Sequence, residues 1–313
     1  MSTAEQSKRL AGRRACEQVR DGQIIGLGTG STVYYAIQRL AEMIAEGLKI
    51  TAVCTSLQTE RLARAGNIPL VDFFSVEAVD LTIDGVDEVS PDFHGIKGGG
   101  GALFREKQVA NISRQVTWVM DDRKLVKRLG AFPLPIEVAP FAAASLLRQL
   151  TADGFAPRLR LKKGGELSYA LNPPSLDEQI SFLLSAGADP FLQPINTCKS
   201  AAVAGEFAPD SASAGNTCES AAATAKSAVS APADLIELIR AQSILELTDN
   251  GNYIFDLLSP EPGADLIADP VALERRLKHY PGVLETGIFL NGSSRIIVGH
   301  ADGQISERTN PNF

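Results

Sequence analysis

Four short stretches hold residues at spacings suited to gripping an anion and moving a proton. The first is Gly26-Leu27-Gly28-Thr29-Gly30-Ser31-Thr32. Glycines let the main chain approach an anion closely, and the N–H groups that open a helix point at it. Ser31 and Thr32 suit a helix cap and equally suit hydroxyl donation to a phosphate. On the residues alone, a tight capped turn and an anion site are equally good readings. A dinucleotide fold also needs an acid after the next strand to hold a ribose. Here Thr55, Ser56, Leu57 and Gln58 follow that strand, which demotes NAD.

The second stretch is Asp84-Gly85-Val86-Asp87-Glu88, after an apolar run. Strand ends of open parallel sheets are where ligands bind, so Asp84 and Asp87 read as pocket acids. Glu88 reads as an ordinary solvated loop acid. The third is Lys97-Gly98-Gly99-Gly100-Gly101, leading into Ala102-Leu103-Phe104-Arg105-Glu106-Lys107. A run of glycines costs backbone entropy and suits a sharp bend or close contact with a ligand. Lys97 is placed to steady an oxyanion. Glu106 falls in the first turns of a helix; helix pattern alone favours a surface acid paired with a neighbouring cation. The fourth is Asp121-Asp122-Arg123-Lys124, where composition alone favours a solvated lysine.

The elements that must carry these residues alternate strand and helix. Residues 4–20 hold Leu10, Ala11, Ala15, Cys16 and Val19 at helical spacing. Residues 23–27, 50–54, 79–83 and 116–120 read as buried strands; 31–45, 57–65 and 101–113 read as helices. This order predicts a parallel sheet covered by helices, a Rossmann-like α/β domain over 1–131. Phe132-Pro133-Leu134-Pro135 punctuates the chain and opens a smaller α+β domain over 132–294. Its pattern has strands at 136–138, 157–161, 243–247, 253–257 and 283–290, with helices at 141–152 and 270–279. The turn Asp249-Asn250-Gly251-Asn252 marks a hairpin. Leaving aside the first arm of that hairpin, the order β-α-β-β-α-β is ferredoxin-like. A strand at 295–298 is expected to rejoin the first sheet, within a returning segment 295–313.

Residues 163–242 interrupt the smaller domain. Between 196 and 233 the chain is mostly Ala, Ser, Thr and Gly, with a near-repeat of Asn196-Thr197-Cys198 at Asn216-Thr217-Cys218. Two short copies cannot form a solenoid. The stretch reads as a solvated insertion with little fixed structure, flanked by helices at 175–186 and 234–241.

Composition narrows the function classes. The 313-residue chain is 44% hydrophobic with a net charge of −7, so it can bury a core but lacks the basic face of a nucleic-acid binder. No stretch reaches the roughly 18 unbroken apolar residues of a membrane span. The start, Met1-Ser2-Thr3-Ala4-Glu5, has no signal-peptide pattern, so the cytoplasm is the expected location. Cys16, Cys54, Cys198 and Cys218 form no C-x-x-C pair. A Cys198–Cys218 disulfide is conceivable but disfavoured in a reducing compartment. His94, His279 and His300 are too scattered to suggest a metal cluster.

Taken together and in this order, Gly28 to Thr32, Asp84 to Glu88, Lys97 to Gly100, Arg105-Glu106-Lys107 and Phe132 to Val138 closely resemble ribose-5-phosphate isomerase A. The resemblance spans residues 4–160 and about 243–305. It implies that Thr29, Gly30, Ser31, Thr32, Asp84, Gly85, Val86, Asp87, Lys97, Gly98, Gly99 and Gly100 line the substrate site, with Lys124 and Lys8 reaching the substrate. It implies Glu106 as proton acceptor, with Asp84, Asp87 and Lys97 as catalytic partners. It also implies no cofactor, no metal, and a homodimer or homotetramer. The expected reaction interconverts D-ribose 5-phosphate and D-ribulose 5-phosphate. A sugar-phosphate sensor, another sugar-phosphate isomerase, and a coenzyme A transferase-like enzyme are the alternatives. A sensor would need the phosphate loop but not Glu106. Deleting residues 196–233 is expected to leave turnover unchanged, measured as ketose formation from ribose 5-phosphate; a loss of folding or turnover would show the insertion to be structural.

Overall fold

The computed structural model describes residues 3–162, 177, 179, 245–259 and 265–313. The insertion, its near-repeat and its flanking helices lie outside the described residues, apart from Asp177 and Gln179. In chain order the strands are β1 (Ile24–Leu27), β2 (Thr51–Cys54), β3 (Leu81–Gly85), β4 (Glu88–Val89), β5 (Gly95–Ile96), β6 (Val116–Asp121) and β7 (Leu134–Val138). They continue with β8 (Ala156–Leu159), β9 (Tyr253–Leu258), β10 (Val283–Thr286), β11 (Ile288–Phe289), β12 (Arg295–Gly299) and β13 (Ile305–Thr309). The helices are α1 (Thr3–Ala15), α2 (Ser31–Ala45), α3 (Leu57–Ala65), α4 (Leu103–Asn111), α5 (Ala143–Ala152) and α6 (Pro270–Leu277). None of the helices described is long and apolar enough to cross a membrane.

The main sheet has the order β13-β12-β6-β3-β1-β2, parallel except for β13 at its edge. The expected return strand therefore lies beside β6, as Arg295–Gly299. Strands buried on both faces need near-continuous apolar runs, and β6 is buried along its whole length. Helix α2 turns Val33, Ala36, Ile37 and Leu40 into the core. Helix α1 packs on α2 through Gly12, where an added Cβ would lie 2.7 Å from the Thr32 carbonyl oxygen. Ser56 caps α3 by accepting from the Thr59 N–H at 3.1 Å.

The smaller sheet has the antiparallel order β10-β7-β9-β8. With α5 after β7 and α6 after β9, this is the ferredoxin-like arrangement. Leu146, Leu147 and Leu150 of α5 and Leu273 and Leu277 of α6 close its core against Ile136, Phe255 and Leu257.

Several expected elements are placed differently. The first helix stops at Ala15 and tightens into a 3-10 turn over Cys16–Gln18. The strand expected at 79–83 runs from Leu81 to Gly85, in register with β1, and Val79 makes only a bridge to Ser113. Asp84 is thus part of the strand. The strand expected at 243–247 is, among the described residues, a single bridge between Leu161 and Leu245. The strand expected at 283–290 breaks at Gly287: β10 pairs with β7, whereas β11 pairs with β5. A Cβ at Gly287 would sit 2.4 Å from the Lys97 carbonyl oxygen.

Strands β4, β5 and β11 form a third, small sheet that hydropathy did not reveal. It lies beside the fully buried Trp118 ring, which a Cβ at Gly95 would meet at 2.6 Å. Helix α1 is seated on β12 through Gly299, where a Cβ would fall 2.0 Å from the Ser7 carbonyl oxygen. Gly299→Ala should therefore destabilise the fold by about 1–3 kcal/mol, the usual cost of overpacking, measured by chemical denaturation.

Candidate active site

All four chemistry-bearing stretches meet at the carboxyl edge of the main sheet. The strand order 2-1-3 followed by two further parallel strands places a topological switch point between β1 and β3, where doubly wound sheets bind ligands. Gly28 follows β1, Asp84 lies at the end of β3, and Lys124 follows β6. Gly28 is there because a Cβ would sit 1.9 Å from an Asp84 carboxylate oxygen.

At the centre is Lys97, buried with Asp84 and Glu106. Its Nζ lies 3.0 Å from Asp84 Oδ2 and 3.3 Å from Glu106 Oε2, and it donates to the Gly85 carbonyl. Two carboxylates and one carbonyl thus surround the ammonium. The Phe289 ring covers the same cation, with its centroid 5.5 Å away. Asp84 Oδ1 accepts from the N–H of Thr29 at 3.1 Å and of Gly85 at 2.7 Å. Glu106 is 4% exposed, and among the described residues its Oε2 has no hydrogen-bond partner.

Glu106 sits on the first turns of α4, where its N–H bonds the Ala102 carbonyl at 3.0 Å. The surface-acid alternative for Glu106 is thereby excluded. Burial pushes its carboxyl up to about 8, against the pull of Lys97 and with a further push from Asp84 and Asp87. Burial also pushes Asp84 upward, opposed by Lys97 and the two backbone donors. The ammonium of Lys97 is favoured by Asp84 and Glu106 against its own desolvation.

The tetraglycine loop joins these groups. Gly98 has φ +106 and Gly101 φ +75, conformations that L side chains rarely adopt. The Gly99 N–H bonds Asp87 Oδ2 at 2.8 Å, and a Cβ on Gly100 would touch the Thr29 methyl at 3.6 Å. Asp87 is partly open, and Lys124 Nζ lies 3.9 Å from its Oδ1. Lys124 also donates to the Val86 carbonyl. Burial lowers its pKa, and the charges of Lys97 and Lys8 lower it further.

The N-terminus of α2 is open. Gly30 occupies the cap with φ +125 and supplies no side chain, so the first N–H groups of the helix have no capping acceptor. Lys8 reaches across from α1 and donates to Ser31 Oγ at 2.9 Å. Ser31 is exposed and Thr32 buried. Thr29, expected to line the site, has its polar groups engaged within the chain. Its hydroxyl is tied to Thr55, Ser56 and Thr59 at 2.9, 2.8 and 3.4 Å, and its N–H to Asp84. The hydroxyls after β2 thus brace the glycine turn at the position where a ribose-binding acid would sit in a dinucleotide fold.

Two carboxylates and two cations gained roles that spacing did not reveal. Glu88 is not solvated: it is 4% exposed and accepts from the N–H of Gly130 at 2.7 Å and Phe132 at 2.6 Å. Asp249 accepts from the Leu57 N–H at 2.7 Å, and Arg105 donates to Asn250 Oδ1 at 2.9 Å. Arg160, just after β8, donates to the Gly98 carbonyl at 2.6 Å. Its signal, a basic residue within the alternation Pro157-Arg158-Leu159-Arg160-Leu161, resembles that of any exposed strand face.

Known proteins are similar to this chain in sequence and in fold. The family model for ribose 5-phosphate isomerase A (phosphoriboisomerase A) matches residues 51–170 and 222–303. A ribose-5-phosphate isomerase A of Listeria innocua serovar 6a is 36% identical over 298 residues, covering 95% of this chain and 96% of its own. The crystal structure of ribose 5 phosphate isomerase A from Neisseria gonorrhoeae aligns with a TM-score of 0.67 at 28% identity, over 99% of both chains. Ribose 5-phosphate isomerase from Plasmodium falciparum aligns at 0.68 and 26% identity, over 98% of this chain and 99% of its own. With the matched model covering most of its length, this chain belongs to the ribose-5-phosphate isomerase A family.

Proposed function

We propose that this chain interconverts D-ribose 5-phosphate and D-ribulose 5-phosphate through an enediolate, with Glu106 as the base. The observation that carries this reading is the buried Glu106 carboxylate. One oxygen lacks a hydrogen bond, and the group stands beside a lysine at the switch point of the sheet. A base needs proton affinity near the working pH, and burial supplies it here.

The phosphate would rest on the open N–H groups of α2, with Ser31, Thr32, Lys8 and Lys124 around it. That places the sugar carbons towards Lys97 and Glu106. The aldose exists mainly as a ring, so ring opening comes first; Asp84 is the assigned helper. Glu106 then takes the C2 proton, and the electron pair moves into the C1–C2 bond. Negative charge develops on the C1 oxygen, where the Lys97 ammonium stabilises it by field, or by releasing Glu106. Asp87, pinned by Gly99, passes a proton from the C2 hydroxyl to the C1 oxygen. Glu106 finally returns its proton to C1, leaving a ketone at C2. A homodimer or homotetramer working in the cytoplasm belongs to the same reading, on the strength of the family.

The sensor alternative needs no such base, and an acyl transferase would use a carboxylate as nucleophile instead. Incubating the purified chain with ribose 5-phosphate and EDTA and following ketose separates the readings. Steady formation of ribulose 5-phosphate is expected, and its absence would reject the isomerase assignment. Glu106→Gln should lower kcat by about 10²–10⁴, the worth of a positioned base, with KM little changed. The pH profile has a defined sign. Glu106 acts only when deprotonated, and burial raises its pKa to about 8. The ratio kcat/KM should therefore rise with pH through that region and level off above it. An acid limb lying wholly in the ordinary carboxylate range would contradict the assignment.

A further inference from the structure

We propose that Arg160 is a positioning residue for this reaction: by holding the Gly98 carbonyl, it sets the tetraglycine loop so that Lys97 and Glu106 face each other. The proposal rests on the isomerase reading and adds a residue from the smaller sheet.

The Gly98 carbonyl is a node. It accepts from Arg160 Nη1 at 2.6 Å and from the Gly101 N–H at 3.0 Å. The second bond closes the turn that leads to Ala102, whose carbonyl accepts the Glu106 N–H at 3.0 Å. On the other side, Gly98 is joined directly to Lys97. Displacing this one carbonyl therefore moves both the cation and the start of the helix that bears the base. The loop cannot stiffen itself, since four glycines carry no side chains to pack.

Arg160 is itself held rigidly. Its Nε donates to Asp256 Oδ2 at 2.9 Å, and Nη2 donates to Asp256 Oδ1. Its backbone N–H bonds the Ile254 carbonyl at 2.9 Å. The side chain is 11% exposed and Asp256 21%, so the pair is largely withdrawn from water. A planar guanidinium can grip a carboxylate with two donors and still aim a third at a carbonyl; an ammonium lacks that fork. Neighbouring groups of the same sheet complete the brace. A Cβ on Gly98 would meet Pro135 at 3.2 Å, and one on Gly101 would meet Glu246 and Ile254 at 3.5 Å.

A purely structural ion pair would affect stability without selecting for turnover. The test uses the full chain and the variants Arg160→Gln, Arg160→Lys and Asp256→Asn. The readouts are kcat, KM for ribose 5-phosphate, melting temperature, and hydrogen exchange of the peptide covering residues 97–102. Misplacing a reacting group by an ångström costs about 10²-fold, so Arg160→Gln should lower kcat by about that factor. KM should stay close to wild type and exchange over 97–102 should quicken, while the fall in melting temperature from the unpaired Asp256 should leave the chain folded at the assay temperature. Arg160→Lys should recover part of the rate by keeping one donor on the Gly98 carbonyl. Asp256→Asn should fall on the same side as Arg160→Gln, with a smaller loss. Unchanged kcat and exchange in Arg160→Gln would overturn the proposal. So would a kcat loss that only tracks a lowered melting temperature. If Arg160→Gln fails to fold, wild-type kcat and exchange in both other variants overturn it. A wild-type chain with no isomerase activity rejects the functional reading instead, and unchanged exchange in the variants would then reject this one separately.

Discussion

The site depends on one buried cation shared by two buried carboxylates. Removing an ion from water costs several kcal/mol even after relaxation. Lys97 is compensated by Asp84 at 3.0 Å, Glu106 at 3.3 Å and the Gly85 carbonyl. The compensation is unequal between the acids. Asp84 has two backbone N–H donors in addition to the lysine, whereas the Oε2 of Glu106 has no hydrogen bond. The cluster holds one positive and two negative charges when fully ionised, so a proton is most readily kept where the anion is least supported. Burial pushes both carboxyls up, and that asymmetry in donors favours Glu106 as the one that keeps a proton.

This cluster forms only because main-chain segments come very close to it. Gly28 passes Asp84 where a methyl group would overlap the carboxylate, and Gly99 does the same at Asp87. Gly287 passes the Lys97 carbonyl in the same way, which breaks the last apolar run into two strands of different sheets. The open end of α2, where the phosphate is proposed to rest, is built by a different device. A helix whose cap residue has no side chain leaves its first N–H groups uncapped, and Lys8 and Lys124 supply charge from α1 and from the end of β6.

The smaller sheet is more than an appendage. Pro135 of β7, Ile254 of β9 and Arg160 beyond β8 all abut the tetraglycine loop. Glu88 ties the loop after Asp87 to Gly130 and Phe132, where the chain crosses into that sheet. A loop of glycines is conformationally free, so its order must come from its surroundings. Here those surroundings are supplied by the second sheet, and the two layers act as a single frame around the Lys97 cluster.

Alternation of apolar runs with helical stripes determined the parallel sheet and the ferredoxin-like unit, because side-chain periodicity is a local property. The glycine turns, Asp84 and Asp87 were legible for the same reason: their types and order along the chain mark a close approach of the backbone, whereas Glu106 entered only through the resemblance carried by the ordered motifs. Local pattern did not distinguish a surface Glu106 from a buried one, since a helix position acquires its environment from what packs over it. It could not show that Thr29 turns its hydroxyl to Thr55, Ser56 and Thr59, or that Glu88 is buried on backbone donors. Nor could it pair Arg160 with Asp256 and Gly98, which are remote in sequence. Burial and partnership across long sequence separations belong to the tertiary structure alone, because they depend on which surfaces meet when sheets and helices pack.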